Sequence, residues 1–125
     1  MFLREIELTV EGTERSVQLD QKSEGDTGVV VWDAAIVLSK YLEVISDQLT
    51  DAVCVELGAG TGAVGLCAGV LGCHQVILTD REEYVELLEH NIKLNSDISR
   101  CDNVSALTLN WGNLGEVRRQ TAARN

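Results

Sequence analysis

Several functional classes are excluded by what this chain does not contain. Its four cysteines, Cys54, Cys67, Cys73 and Cys101, form no Cys-x-x-Cys pair and sit beside no clustered histidines, so metal-ligand spacing is missing and no metal is expected. Cys54 falls in an apolar strand and Cys67 in the following helix, where a free thiol behaves as a small hydrophobe. Free thiols without a secretory signal lead to the expectation of a reducing compartment, the cytoplasm. No apolar run is long enough for a membrane span, so no membrane partner is expected. Basic residues are few: 10 Lys and Arg face 20 Asp and Glu, a formal charge of −10. A phosphate backbone needs a basic face, so nucleic acid is not an expected partner, whereas a basic protein surface suits this charge. The glycine-rich stretch lacks the Gly-Lys-Ser/Thr ending of a P-loop, which argues against ATP or GTP hydrolysis.

At 125 residues the chain is one domain at most, and with 45% hydrophobic residues it can bury a small core. Its most informative stretch is Cys54 to Gly65, Cys-Val-Glu-Leu-Gly-Ala-Gly-Thr-Gly-Ala-Val-Gly. An apolar strand passes through Glu56 into a glycine turn and then an apolar helix. Gly58 and Gly60 let a ligand lie against the main chain, and the helix from Gly62 aims free N–H groups at the same place. Asp80 ends the next apolar run, Gln75 to Asp80. An acid about 20 positions beyond such glycines, at the end of the following strand, is where an adenosine ribose is held. Gly60-Thr-Gly62-Ala-Val-Gly65 also satisfies G-x-G-x-x-G, so a dinucleotide, and with it a nicotinamide-dependent oxidoreductase, stays open. Glu56 would crowd a pyrophosphate but suits the cationic amino end of S-adenosyl-L-methionine.

Along the chain, residues 2 to 20 read as two strands, Phe2 to Val10 and Ser16 to Leu19, around a turn at Glu11-Gly12-Thr13. Lys22 to Gly28 reads as a loop. A helix from about Asp33 to Ile45, capped by Asp33, carries one apolar stripe: Ala34, Val37, Leu38, Tyr41, Leu42 and Ile45. Val53 to Leu57 reads as a strand buried in a parallel sheet, followed by a helix over Ala63 to Leu71 and a strand over Val76 to Thr79. Glu82 to Asn95 is an amphipathic helix with Glu82, Glu83 and Glu86 near its positive end, and Val104 to Leu109 is a third strand. This β-α-β-α-β order makes half of a doubly wound α/β sheet. His74 and His90 have no partner at useful spacing. From Glu116 the tail is polar, with neither strand pattern nor core face.

Glu56-Leu-Gly-Ala-Gly-Thr-Gly resembles motif I of the seven-β-strand methyltransferases. Val30 to Glu43, Val-Val-Trp-Asp-Ala-Ala-Ile-Val-Leu-Ser-Lys-Tyr-Leu-Glu, resembles the segment before motif I in the methyltransferase-like 21 group of protein-lysine methyltransferases, above all the branch that modifies an AAA ATPase chaperone, valosin-containing protein. Leu109-Asn110-Trp111-Gly112 is similar to the Leu-Lys-Trp-Gly segment after that group's third strand. The resemblance implies a Rossmann-like seven-β-strand fold, of which only the N-terminal half is expected here. The expected parts are a hairpin and loop over residues 1–28, a partial S-adenosyl-L-methionine domain over 29–115 and a polar tail over 116–125. It also implies transfer of a methyl group from S-adenosyl-L-methionine to a lysine of a protein substrate. Gly58, Ala59 and Gly60 would line the methionine end of that cofactor. Glu56 would orient its amino group or else hold a nearby backbone amide, and Asp80 would accept from the ribose hydroxyls or else cap a helix. The indoles of Trp32 and Trp111, two of only five aromatic residues, would lie against the cofactor, the second near the adenine, where Asn110 could also bond. The group's Asp/Glu-x-x-Tyr motif after strand four has no match, so no catalytic residue is assigned. The chain is expected to be a truncated monomer, inactive alone, or else a non-catalytic module that binds cofactor or partners.

Overall fold

A computed structural model describes residues 2–22, 29–96 and 101–112, together with 115 and 118. The expected loop from residue 23 to Gly28 and the tail from Glu116, residue 118 excepted, lie outside the described residues, as does the side chain of Cys101. The first two strands, β1 (Phe2–Val10) and β2 (Thr13–Gln21), pair antiparallel from Phe2↔Gln21 to Val10↔Thr13. Glu11 and Gly12 between them both have positive φ, 50° and 79°, which matches the twist of a two-residue hairpin turn. Alternation puts Ile6, Leu8, Val17 and Leu19 on the buried face and leaves Glu5 and Glu7 outside. The hairpin's inner face packs into the same core as the helices described next.

Helix α1 (Asp33–Val44) leads to β3 (Val53–Leu57), α2 (Ala63–Val70), β4 (Gln75–Asp80), α3 (Glu82–Leu94) and β5 (Val104–Thr108). The three later strands form a parallel sheet in the order β3-β4-β5, with β4 central, where Val76 and Leu78 are completely buried. Helix α2 lies unusually close to that sheet. A Cβ on Gly65 would stand 2.0 Å from Leu78 Cδ2, and one on Gly69 would stand 2.8 Å from Val104 Cγ2. Small residues at these turns set the helix-to-sheet distance.

Three expectations are corrected here. The stripe of α1 that meets the core is Ala35, Ile36, Ser39 and Leu42, whereas Ala34, Val37, Leu38 and Tyr41 of the expected stripe face solvent. The exposed stripe is as apolar as the buried one, which contains the polar Ser39, so hydrophobicity does not choose between them. Asp33 does not cap this helix: Trp32 occupies the N-cap position without a side-chain cap bond, and Asp33 is the acid of the first turn. Among the described residues, strand β3 is an edge strand with one bare face, on which Val53, Val55 and Leu57 are 58%, 56% and 60% exposed.

A fourth correction concerns His90. Its Nε2 lies 2.6 Å from Asp20 Oδ2, a partner 70 residues away that local spacing cannot reveal. The next residue carries more of the fold. Asn91 on α3 and Asn95 at its C-cap, one turn further on and both fully buried, line the free edge of β2. Asp20 N–H donates to Asn91 Oδ1 at 2.9 Å, while Asn91 Nδ2 donates to Asp20 O at 3.1 Å. Asn95 makes the same pair with Gln18, at 2.8 and 2.7 Å. The two amides thus behave as a further strand, satisfying edge groups that burial would leave unpaired.

Candidate functional site

The C-terminal ends of β3, β4 and β5 open onto one cleft of about 660 Å³, the position at which open α/β sheets bind ligands. Seven residues expected at the site line it: Trp32, Glu56, Gly58, Ala59, Gly60, Asp80 and Trp111. Asn110 joins them. Gly58 and Gly60 have φ of 65° and 59°, left-handed values that other residues adopt only with strain. These glycines fold the loop back across β4. Ala59 N–H donates to Thr79 O at 2.9 Å, and Gly60 N–H donates to Asp80 Oδ2 at 2.9 Å.

Asp80 therefore ties the glycine loop to the end of β4, and its other oxygen accepts from Arg81 N–H at 2.7 Å. A carboxylate has about four acceptor positions, so each oxygen retains one for a ligand hydroxyl. Glu56 is committed differently. Its Oε1 accepts from Gly65 N–H in the first turn of α2 at 3.0 Å, the backbone-amide role that its position also allowed. Its second oxygen remains for the cleft. Burial pushes the Glu56 carboxyl up to about 7, the Gly65 N–H partly opposes this, and the nearby Asp80 charge adds to it.

The sign of this shift gives a stability prediction. A carboxyl raised from 4.5 when folded contributes stability that is fully present below pH 4.5 and lost as pH rises through about 7. The loss is on the order of 3 kcal/mol at about 1.4 kcal/mol per unit. Urea melts at pH 5 and pH 8 should show the folded chain weaker at pH 8. Because other acids also titrate, Glu56→Gln is the comparison: it should remove most of the difference, and an unchanged difference would count against it.

The two indoles are not core residues. Trp32 is 56% and Trp111 72% exposed, both on the cleft wall, and a Cβ on Gly58 would lie 3.5 Å from Trp111 Cζ2. Among the cleft residues that were not expected are an arginine and a tyrosine. Arg81 and Tyr84 line the wall below Asp80, with Arg81 Nη2 donating to the Tyr84 hydroxyl at 3.1 Å and the guanidinium 5.3 Å from the ring centre. Their three-residue spacing at a helix start was the available signal. Among the described residues, no group of His, Cys, Asp and Glu could hold a metal ion, and no helix is long and apolar enough to cross a membrane.

Comparison with known proteins gives this geometry a family. The family model described as lysine methyltransferase matches residues 12–122. The chain belongs to that family. Among its relatives, protein N-lysine methyltransferase METTL21A of Xenopus tropicalis is 44% identical over 96 residues, covering 77% of this chain and 44% of that protein. Protein-lysine N-methyltransferase EFM3 of Chaetomium thermophilum is 41% identical over 90 residues, covering 70% of this chain and 26% of that protein. The 16S rRNA methyltransferase RsmC of T. thermophilus, solved with AdoMet and guanosine, superposes with a TM-score of 0.54 at 21% identity. That match covers 86% of this chain and 28% of RsmC, and shows the Rossmann-like α/β fold alone. The chain spans less than half the length of these relatives.

Proposed function

We propose that the cleft binds S-adenosyl-L-methionine and that the chain is the cofactor-holding part of an enzyme that methylates a lysine on a protein substrate. The observation that carries this reading is the closure of Gly60 onto Asp80 between two solvent-facing tryptophans. The residues present fit the cofactor. Backbone at Gly58 to Gly60 leaves room for close approach, Asp80 retains acceptor positions for vicinal hydroxyls, and the second oxygen of Glu56 suits an amino group. When bound, S-adenosyl-L-methionine supplies a methyl group on a sulfonium. This chain's own part is to orient it and, through the flat indoles of Trp32 and Trp111, to keep water from it.

The protein substrate follows from the family, and an AAA ATPase chaperone is the finer proposal, supported by Val30 to Glu43. A monomer in the cytoplasm completes the reading. The free thiols of Cys54, Cys67 and Cys73 suit a reducing compartment. No residue lining the cleft is assigned to the lysine, so the chain alone is proposed to bind cofactor without transferring methyl. A partner-binding module is the second reading, favoured by the bare apolar faces of β3 and α1.

Calorimetric titration with S-adenosylhomocysteine, with far-UV circular dichroism on the same sample, tests the central claim. Folded chain should bind saturably, and Asp80→Ala should weaken binding by roughly ten- to a hundredfold, the effect of losing charged hydrogen bonds. A folded chain that does not bind would overturn the cofactor proposal. Methylation of any protein by the pure chain, above a blank without it, would overturn the inactive-alone part.

A further inference from the structure

The cleft chemistry makes no use of a pair of thiols at the opposite ends of the strands. Cys54, near the start of β3, and Cys73, in the turn between α2 and β4, come within 3.1 Å of each other, Sγ to Sγ. That is inside ordinary sulfur–sulfur contact and about 1 Å longer than a disulfide bond. The backbone around them is pinned: His74 N–H donates to Ala52 O at 2.9 Å, and Asn103 Nδ2 donates to Cys73 O at 2.8 Å. The two thiols differ in access. Cys54 is half-buried, while Cys73 is 3% exposed. Cys67, the other thiol whose surroundings are described, is fully buried in α2.

We propose that Cys54 and Cys73 form a reversible redox site, closing to a disulfide with a small-molecule disulfide of the glutathione class as oxidant. Cys54, the accessible thiol, attacks one oxidant sulfur as thiolate; the oxidant S–S bond breaks and one thiol leaves. Cys73 then attacks the Cys54 sulfur of the mixed disulfide; the Cys54–Cys73 bond forms and the second thiol leaves. Two electrons pass from the cysteine pair to the oxidant, and the two protons end on the two departing thiols. Burial, with the neighbouring Cys54 thiol adding to it, pushes the Cys73 thiol up to about 12, so the second step is the slow one and the mixed disulfide on Cys54 precedes the closed form.

The closed loop would enclose residues 55–72, which contain Glu56, the glycine turn and all of α2. Constraining that loop in the unfolded chain stabilises the folded one. The oxidised chain should therefore melt several degrees above the reduced chain. This site stands apart from methyl transfer and holds whether or not the chain binds cofactor.

The test incubates the full chain with oxidised glutathione, with and without urea, and maps the products by mass spectrometry after chymotryptic digestion without reductant. Leu57, Leu66 and Leu71 separate the three thiols into different peptides. The expected result is one dominant Cys54–Cys73 cross-link in buffer, reversed by dithiothreitol and replaced by mixed pairings in urea. Cys54→Ser should leave Cys73 uncross-linked, and Cys73→Ser should stop at the mixed disulfide on Cys54. Equal pairings with and without urea, a dominant link through Cys67 or Cys101, or a product that stays as the mixed disulfide would each overturn the proposal.

Discussion

Gly65→Ala is expected to destabilise the chain by about 2 kcal/mol, although alanine is the better helix former. Inside a helix the exchange alone would gain roughly 1 kcal/mol. Against this, the new methyl would sit 2.0 Å from Leu78 Cδ2, 2.9 Å from Glu56 Oε1 and 3.3 Å from Val76 Cγ1. Leu78 and Val76 have no exposed surface into which to move. Relief requires lifting α2 from the sheet, which also stretches the bond from Gly65 N–H to Glu56. Overpacking of this kind costs about 1–3 kcal/mol or more. A double-mutant cycle with Leu78→Ala gives the decisive number. If the clash is the cause, the double variant is less destabilised than the two single losses added together, and simple additivity would sink the explanation.

Asn91→Ala should cost at least as much, about 3 kcal/mol, seen as a melting temperature lower by on the order of 10 °C. Its carboxamide serves three backbone groups at once: Asp20 N–H, Asp20 O and, at 2.8 Å, Thr61 O in the glycine loop. Thr61 is 3% exposed, so water is poorly placed to replace that bond. Asn91→Asp keeps one acceptor but turns a carboxylate oxygen toward the carbonyls of Asp20 and Thr61 in a site with no exposed surface, and should destabilise at least as much as alanine. The Thr61 bond adds a second readout, since freeing the glycine loop should weaken S-adenosylhomocysteine binding as well. A melt that does not move would show that the hairpin edge does not depend on Asn91.

These two residues also mark how far the sequence could be read. The cleft was legible because its signals are local or simply spaced: glycines that need positive φ at a strand end, an acid closing the next strand, and an apolar central strand. Gly65 belonged to a recognisable small-residue helix, but the clearance it provides is a distance between elements. Asn91 and Asn95 were illegible for a deeper reason. Polar residues one turn apart on an amphipathic helix resemble a solvent face until a strand edge is known to need them. His90 and Asp20 failed for the same reason. Helix α1 is ambiguous in the sequence because its exposed face is as apolar as the one it buries, and the buried face contains Ser39, completely buried.

The bare row of Val53, Val55 and Leu57 on β3, with Val37, Tyr41 and Val44 of α1 also in solvent, bears on how the chain behaves in a concentrated solution. A strand whose outer edge has no partner among the described residues and whose face is apolar is a template for other strands, and here a charge of −10 holds copies apart. Salt removes that protection while leaving the apolar attraction intact: at 1 M the screening length falls to about 3 Å. Light scattering should therefore find single chains in dilute buffer and growing clusters as salt is raised, with Val55→Lys suppressing the growth. Solubility, for this chain, would be an electrostatic property set by ionic strength.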